Sequence, residues 1–182
     1  MGQQASLPRP GTSIQVIGAG LSRTGTASFS RALEILLGGP VYHCGTQSTL
    51  GPPYQVQLWI QILRHWLSGS DTDRPTVLRL LGEQMDGYAA ITDAPGSQFV
   101  PELMELYPDA KVICTIRDPI SWEKSFAQVM NITGLWFLPW AVLPVPGMIN
   151  YFRYLTLLGE QWRRMYGESR LRVRHIYDIS SG

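Results

Sequence analysis

A short apolar run that leads through glycines into a helix pattern constrains this chain more than any other feature. Residues 14–17 are largely apolar and end in Gly18-Ala19-Gly20, which is typical of a strand entering a glycine turn. From Thr26 onward apolar residues recur at intervals of three and four, the spacing of one helix face, until Gly38-Gly39-Pro40. Such a turn lets backbone N–H groups converge at the positive end of the helix. The loop of residues 18–28 is therefore predicted to bind an anion.

Two common nucleotide loops fit this segment poorly. A dinucleotide-binding loop needs a third glycine where Arg23 stands, and the next predicted strand ends in Tyr42-His43-Cys44 without an acidic residue to hold a ribose. An NTPase P-loop needs a lysine after its second glycine, but Thr26 follows Gly25. The chain has only two lysines, both far from this loop, so ordinary ATP or GTP hydrolysis is disfavoured.

Further along the chain, apolar runs alternate with segments of helical spacing. Strands are predicted at residues 41–44, 88–92, 111–116 and 171–177, and helices at residues 55–67, 75–85, 99–106 and 151–165. Asp118-Pro119 is typical of an N-cap followed by a first-turn proline and indicates one more helix. The alternation predicts a three-layer α/β/α fold with a central parallel sheet. Residues 1–12 are expected to form a flexible arm, and residues 13–182 a single domain.

The net charge and the cysteine spacing restrict the kinds of partner that the chain is expected to bind. The formal net charge is +1, so no basic stripe for nucleic acid is indicated. Cys44 and Cys114 lie in apolar runs, are expected to be buried thiols, and have no metal-ligand spacing.

Residues 135–149 are apolar but too short and too rich in proline to span a bilayer. Residues 1–6 lack the apolar stretch of a secretory signal, so none is expected, and they match the N-myristoylation pattern at Gly2. A cytoplasmic location is expected, with peripheral membrane contact through that lipid.

The loop of residues 22–28 resembles the 5′-phosphosulfate loop of sulfotransferases, and it is most similar to the fungal sulfotransferase-like P-loop family, whose loop commonly reads R-T-G-T-x-S. A second motif supports the resemblance: Arg117 ends a predicted strand and Ser125 follows eight positions later, like the pair that holds the 3′-phosphate of the sulfuryl donor. An arginine there can place two N–H groups on one phosphate. The resemblance covers most of residues 13–130 and implies a P-loop NTPase-like sulfotransferase fold.

The resemblance assigns roles to individual residues. Arg23 replaces the loop lysine of cytosolic members. The implied donor contacts are Ser22, Arg23, Thr24, Gly25, Thr26, Ala27, Ser28, Arg117 and Ser125. Each motif has a plainer interpretation: the loop could be only a helix N-cap, and Arg117 could pair with a surface carboxylate.

Asp93 is the candidate base. Aligning residues 91–95 with the family segment K-T-H-L-P places Asp93 where cytosolic members keep a histidine base, at the carboxyl end of a predicted strand. The alternative is that Asp93 caps the turn into the following helix. His43 follows an apolar pair and is interpreted as a satisfied core or rim histidine rather than as a base.

Taken together, the resemblance implies transfer of a sulfuryl group from 3′-phosphoadenosine-5′-phosphosulfate to a small hydroxylated acceptor, without a metal. Apolar residues at 136–140 favour a hydrophobic acceptor. The family continues past its last strand with a glycine-rich segment that completes the 3′-phosphate site, so residues 13–182 are expected to form a shortened member. The alternative function is a catalytically inactive nucleotide-binding or membrane-associated accessory protein with the same fold.

Overall fold

The computed structural model describes residues 4–133 and 148–167. The described strands form one parallel sheet in the order β2-β3-β1-β4. They are β1 (Val16–Gly18), β2 (Val41–His43), β3 (Ala90–Thr92) and β4 (Lys111–Ile113). In this register Ile17 lies beside both Ile91 and Val112, so the carboxyl ends of all the strands reach the same edge of the sheet. Open α/β sheets bind their ligands at that edge.

Helices cover both faces of the sheet, as the alternating pattern predicts. They are α1 (Thr26–Leu37), α2 (Cys44–Leu50), α3 (Pro53–Ser68), α4 (Arg74–Met85), α5 (Val100–Leu106), α6 (Pro119–Thr133) and α7 (Met148–Tyr166). The three-layer α/β/α architecture is confirmed. No helix among the described residues is long and apolar enough to cross a membrane. The predicted strand at residues 171–177, the apolar residues 136–140 and Gly2 lie outside the described residues.

Most predicted elements match those of the structure within a few residues, but two differ. Helix α2 was not predicted, because residues 44–50 lack helical apolar spacing and the cap that starts the helix is the side chain of His43. Strand β4 is shorter than the predicted residues 111–116 and lies exposed at the end of the described sheet order. Cys114 follows β4 and is exposed for the same reason, whereas Cys44 is buried.

Alternate strand residues pack on opposite faces of the sheet. On one face Val16, Val41 and Ala90 pack against Leu33 of α1. On the other face the strands contribute Ile17, Tyr42 and Ile91 to a larger core with residues of α3, α4, α5 and α7. The near-continuous apolar strands are the pattern of a parallel sheet that is buried on both sides.

The larger core contains a hydrogen-bonded aromatic pair. Trp59 and Tyr42 are both fully buried, and Trp59 Nε1 donates to the Tyr42 hydroxyl at 2.9 Å. Gln84 Nε2 also donates to that hydroxyl. Burial raises the pKa of Tyr42 well above its usual value, because the phenolate would be poorly solvated there. The core thus joins β2, α3 and α4 through polar as well as apolar contacts.

The described part of the N-terminal arm is attached to the domain. The Ser6 carbonyl accepts a hydrogen bond from Gln47 Nε2 at 2.7 Å, and its hydroxyl donates to Glu34 at 3.0 Å. The backbone N–H of Arg9 donates to the Gly87 carbonyl at 2.8 Å. These contacts hold residues 6–9 beside α1, α2 and the turn before β3.

Replacing Trp59 tests the energetic weight of this core. We expect Trp59→Ala to lower the free energy of unfolding by about 3–5 kcal/mol, because it leaves a large cavity and removes one of the two hydrogen bonds that the Tyr42 hydroxyl accepts. Urea denaturation monitored by circular dichroism measures the change. Ile35→Ala, at a side chain that is 70% exposed on α1, is the control and should change stability by less than about 0.5 kcal/mol. Equal losses in the two variants would contradict the assigned core.

Candidate functional site

The loop between β1 and α1 adopts the conformation that an anion site requires. Arg23 and Gly25 both have left-handed backbones, with φ of 73° and 95°. Gly25 is the N-cap of α1 and supplies no side chain to the helix end. A Cβ added to Gly25 would meet no atom within 4 Å, so open space lies directly before the helix. The loop therefore presents the positive end of α1 to a space in which an anion can sit.

Close packing against the segment after β4 holds this loop in place. A Cβ at Gly20 would lie 2.0 Å from the Thr115 hydroxyl oxygen, so only glycine allows the approach. Thr24 Oγ1 donates to the Leu21 carbonyl at 2.7 Å and lies 2.7 Å from Thr115 Oγ1. Because its single proton is used on Leu21, the Thr24 hydroxyl shapes the loop from within. Contact of this hydroxyl with a phosphate, which the resemblance implies, would require that bond to rearrange.

The two motifs found in the sequence meet in space. Arg23 Nε donates to Ser125 Oγ at 3.0 Å, across 102 positions of sequence. Arg117 Nη1 donates to the backbone carbonyl of Arg23 at 3.1 Å. Both arginines are exposed, while Ser125 is half-buried. Two guanidinium groups and a hydroxyl thus converge beside the open end of α1, and all of them can donate hydrogen bonds to phosphate oxygens.

Helix α6 carries Ser125 and is anchored to the same loop. Trp122 is fully buried and its Nε1 donates to the Ser22 carbonyl at 2.7 Å. Asp118 caps the start of α6, since its Oδ2 accepts from the Ser121 backbone N–H at 2.9 Å. Hydrogen bonds from Ser121, together with nearby positive charges, lower the pKa of Asp118. The predicted N-cap at Asp118-Pro119 is confirmed.

Asp93 lies one position after β3 with its carboxylate turned inward. The residue is 8% exposed and has a left-handed backbone, with φ of 71°. Its Oδ2 accepts from the Gly45 backbone N–H at 3.2 Å, whereas its Oδ1 is buried without a hydrogen-bond partner among the described residues. The turn that follows is closed by the main chain, from Ser97 N–H to the Asp93 carbonyl at 3.0 Å. The side chain is therefore left for another partner, and the capping alternative loses its support.

His43 connects the loop to Asp93, a link that the sequence analysis missed. Its Nδ1 accepts from the Thr46 backbone N–H at 3.1 Å and caps α2. Its Nε2 lies 3.2 Å from Thr26 Oγ1 and 3.8 Å from Asp93 Oδ2. Burial lowers the pKa of His43, and the charge of Asp93 opposes that effect only in part. The sequence did place His43 at the end of a predicted strand. Because parallel neighbouring strands have their carboxyl ends at the same edge of the sheet, that position could have indicated a place near Asp93.

The remaining predicted contacts lie on the first turn of α1. Ala27 and Ser28 are exposed there, while Thr26 is 6% exposed and faces His43. In the described part of the chain, no cluster of three His, Cys, Asp or Glu side chains is arranged to hold a metal ion. One continuous candidate site therefore lies at the carboxyl edge of the sheet. It consists of the loop with Arg23, together with Arg117, Ser125, Asp93 and His43.

An apolar cluster borders this site. Ala94, which follows Asp93, packs with Trp162 of α7, and Leu21 of the loop and Phe126 of α6 pack against that pair. The rings of Phe126 and Trp162 are stacked with centroids 5.7 Å apart. The cluster therefore packs apolar side chains against Leu21 of the loop and against Ala94, the residue after Asp93.

Comparison with known proteins identifies the family. The pattern of the family described as "Sulfotransferase domain" matches residues 15–179. The chain is also 32% identical over 130 residues to the Ava biosynthesis cluster protein M of Aspergillus versicolor, which covers 71% of this chain and 48% of that protein. The chain thus spans about half the length of the curated relative that it matches. This chain belongs to the sulfotransferase domain family.

Proposed function

We propose that this chain transfers a sulfuryl group from 3′-phosphoadenosine-5′-phosphosulfate to the hydroxyl of a small acceptor. The observation that carries the proposal is the contact of Arg23 with Ser125, because it joins the loop to the second phosphate motif. A nucleotide with phosphate groups at both the 5′ and the 3′ position needs two such anion sites side by side. Family membership supports the same reaction class.

The residues around the loop would hold the donor. The backbone before α1 and the hydroxyl of Thr26 would bind the 5′-phosphate in the open space beside Gly25. Arg117 and Ser125 would bind the 3′-phosphate, and the guanidinium of Arg23 would neutralise charge that develops on the 5′-phosphate side. The donor supplies an activated sulfuryl group, so the protein's task is to hold it in line and to stabilise charge.

Asp93 is suited to accept the proton of the acceptor hydroxyl. Its Oδ2 is fixed by the Gly45 N–H, while Oδ1 is buried and without a partner in the described part of the chain. A fixed carboxylate with one unengaged oxygen can receive a hydroxyl hydrogen bond and then the proton. Ala94, the next residue along the chain, packs with Trp162, whose ring is stacked on that of Phe126. These apolar neighbours favour a hydrophobic acceptor that carries its hydroxyl group toward Asp93.

Nucleotide preference tests the donor assignment directly. Isothermal titration calorimetry should show that the chain binds adenosine 3′,5′-bisphosphate at least about tenfold more tightly than ATP or NAD, because only the bisphosphate places anions at both sites. A radiolabelled sulfate-transfer assay on the same preparation separates an enzyme from a protein that only binds the nucleotide. Equal affinities for all three ligands would remove the basis for a 3′-phosphate site.

Removal of the Arg23 side chain should slow the reaction. We expect Arg23→Ala to reduce the transfer rate by about ten- to a thousandfold, the usual cost of losing one group that stabilises transition-state charge. Arg31→Ala is the matched control, because Arg31 is an exposed arginine of α1 that pairs with Glu34, three positions along the same helix, at 2.8 Å. Its transfer rate should stay at the wild-type level. Similar transfer rates in the two variants would show that Arg23 does not stabilise charge in the transition state.

Asp93→Asn separates a base from a structural residue. Asparagine keeps the size of the side chain and an oxygen for the Gly45 N–H, so nucleotide affinity and melting temperature should change little. Turnover should fall by about a hundredfold or more, because asparagine cannot accept the proton. Asp109→Asn, at an exposed turn, is the control and should keep full turnover. Normal turnover by Asp93→Asn would exclude this carboxylate as the base.

A further inference from the structure

The hydrogen bonds of His43 define which ring nitrogen carries the proton. Nδ1 lies 3.1 Å from the backbone nitrogen of Thr46 and 3.0 Å from the Thr46 hydroxyl oxygen. The hydroxyl can donate or accept, but the backbone N–H can only donate. Nδ1 must therefore be the unprotonated acceptor. In a neutral ring the proton is then on Nε2.

That proton points at one suitable acceptor. Nε2 lies 3.2 Å from Thr26 Oγ1, within hydrogen-bond distance, and 3.8 Å from Asp93 Oδ2, beyond it. The Thr26 hydroxyl thus accepts from His43. A hydroxyl that accepts in this way retains its own proton for another partner. Thr26 is the first residue of α1, directly after Gly25 and the open space beside it.

The surroundings keep the ring in this state. His43 lies mostly buried, and burial lowers its pKa, because a charged imidazole would lose solvation. A second proton would sit on Nδ1 and face the Thr46 N–H, so it would also break the cap of α2. The charge of Asp93 opposes these effects but does not overcome them.

We propose that His43 is a positioning residue. Its ring accepts a hydrogen bond from the Thr46 N–H and donates one to the Thr26 hydroxyl, so that this hydroxyl is oriented to donate a hydrogen bond to the 5′-phosphate. The inference rests on the proposed function and adds one element to it. His43 itself does not touch the nucleotide or the acceptor. His43 thus links Thr26, at the end of the phosphate loop, to the end of β2. It also lies beside Asp93, the residue proposed to act on the acceptor.

Two substitutions divide the roles of the ring. In His43→Asn the amide oxygen can still cap α2 in place of Nδ1, but the side chain is too short to reach Thr26. In His43→Gln the amide nitrogen can reach the position of Nε2, but the cap is lost. His43→Asn should weaken binding of adenosine 3′,5′-bisphosphate by about three- to tenfold, the worth of one hydrogen bond, at an unchanged melting temperature. His43→Gln should keep near wild-type affinity and melt at a lower temperature.

A double-mutant cycle shows whether His43 acts through Thr26. Thr26→Val removes the hydroxyl and should itself weaken binding of the bisphosphate. In that background His43→Asn should have no further effect, because the hydroxyl it orients is already gone. Additive losses would mean that His43 acts by another route and would overturn the inference.

Nitrogen chemical shifts measured by NMR on the ligand-free wild-type chain provide a readout that needs neither binding nor turnover. They should show a neutral ring with the proton on Nε2 at neutral pH, and a proton on Nδ1 would overturn the inference. If wild type fails to bind the bisphosphate, the proposed function and this inference fall together. If wild type binds, Thr26→Val weakens binding and His43→Asn does not, the inference alone is overturned.

Discussion

The parallel pairing of β1 with both β3 and β4 brings the phosphate loop, Asp93 and the segment after β4 to one edge of the sheet. Because β1 has a neighbour on each side, the residues after it meet those after β3 and β4 at one edge. Gly20 packs against Thr115 after β4, and Thr26 reaches Asp93 after β3 through His43. If β3 or β4 paired with β1 in the antiparallel direction, the carboxyl end of that strand would lie at the opposite edge of the sheet. The site residues that follow the strand would then be far from the loop.

The site combines two environments with different electrostatics. Arg23 and Arg117 are exposed beside the end of α1, where they can attract an anionic nucleotide from solution. Asp93 and His43 lie below them and are largely shielded from water. Shielding strengthens each hydrogen bond, and it makes an unpartnered carboxylate oxygen costly unless a substrate engages it. The unusual backbone of Arg23 and Asp93, both left-handed without being glycine, is a strain of the kind found at functional sites.

Much of this could be predicted from the sequence, because the signals are local. The glycine turn, the apolar runs and the Asp118-Pro119 cap each depend on neighbours within a few positions, and the structure contains the corresponding elements. The short helix α2 was missed because its start depends on a histidine cap, which is a rare choice. The exposure of Cys114 was also missed, since apolar neighbours do not reveal which strand lies at the end of the sheet order.

The sequence by itself determined most of the elements, the loop and the family, because backbone propensity, glycine placement and short motifs are written in adjacent residues. Only the tertiary structure decided which distant side chains share hydrogen bonds. The contact of Arg23 with Ser125 spans 102 positions, and His43 meets Thr26 and Asp93 from a separate strand. Such contacts depend on strand order and on angstrom-scale register. Those properties arise from packing the whole core, and no local pattern encodes them.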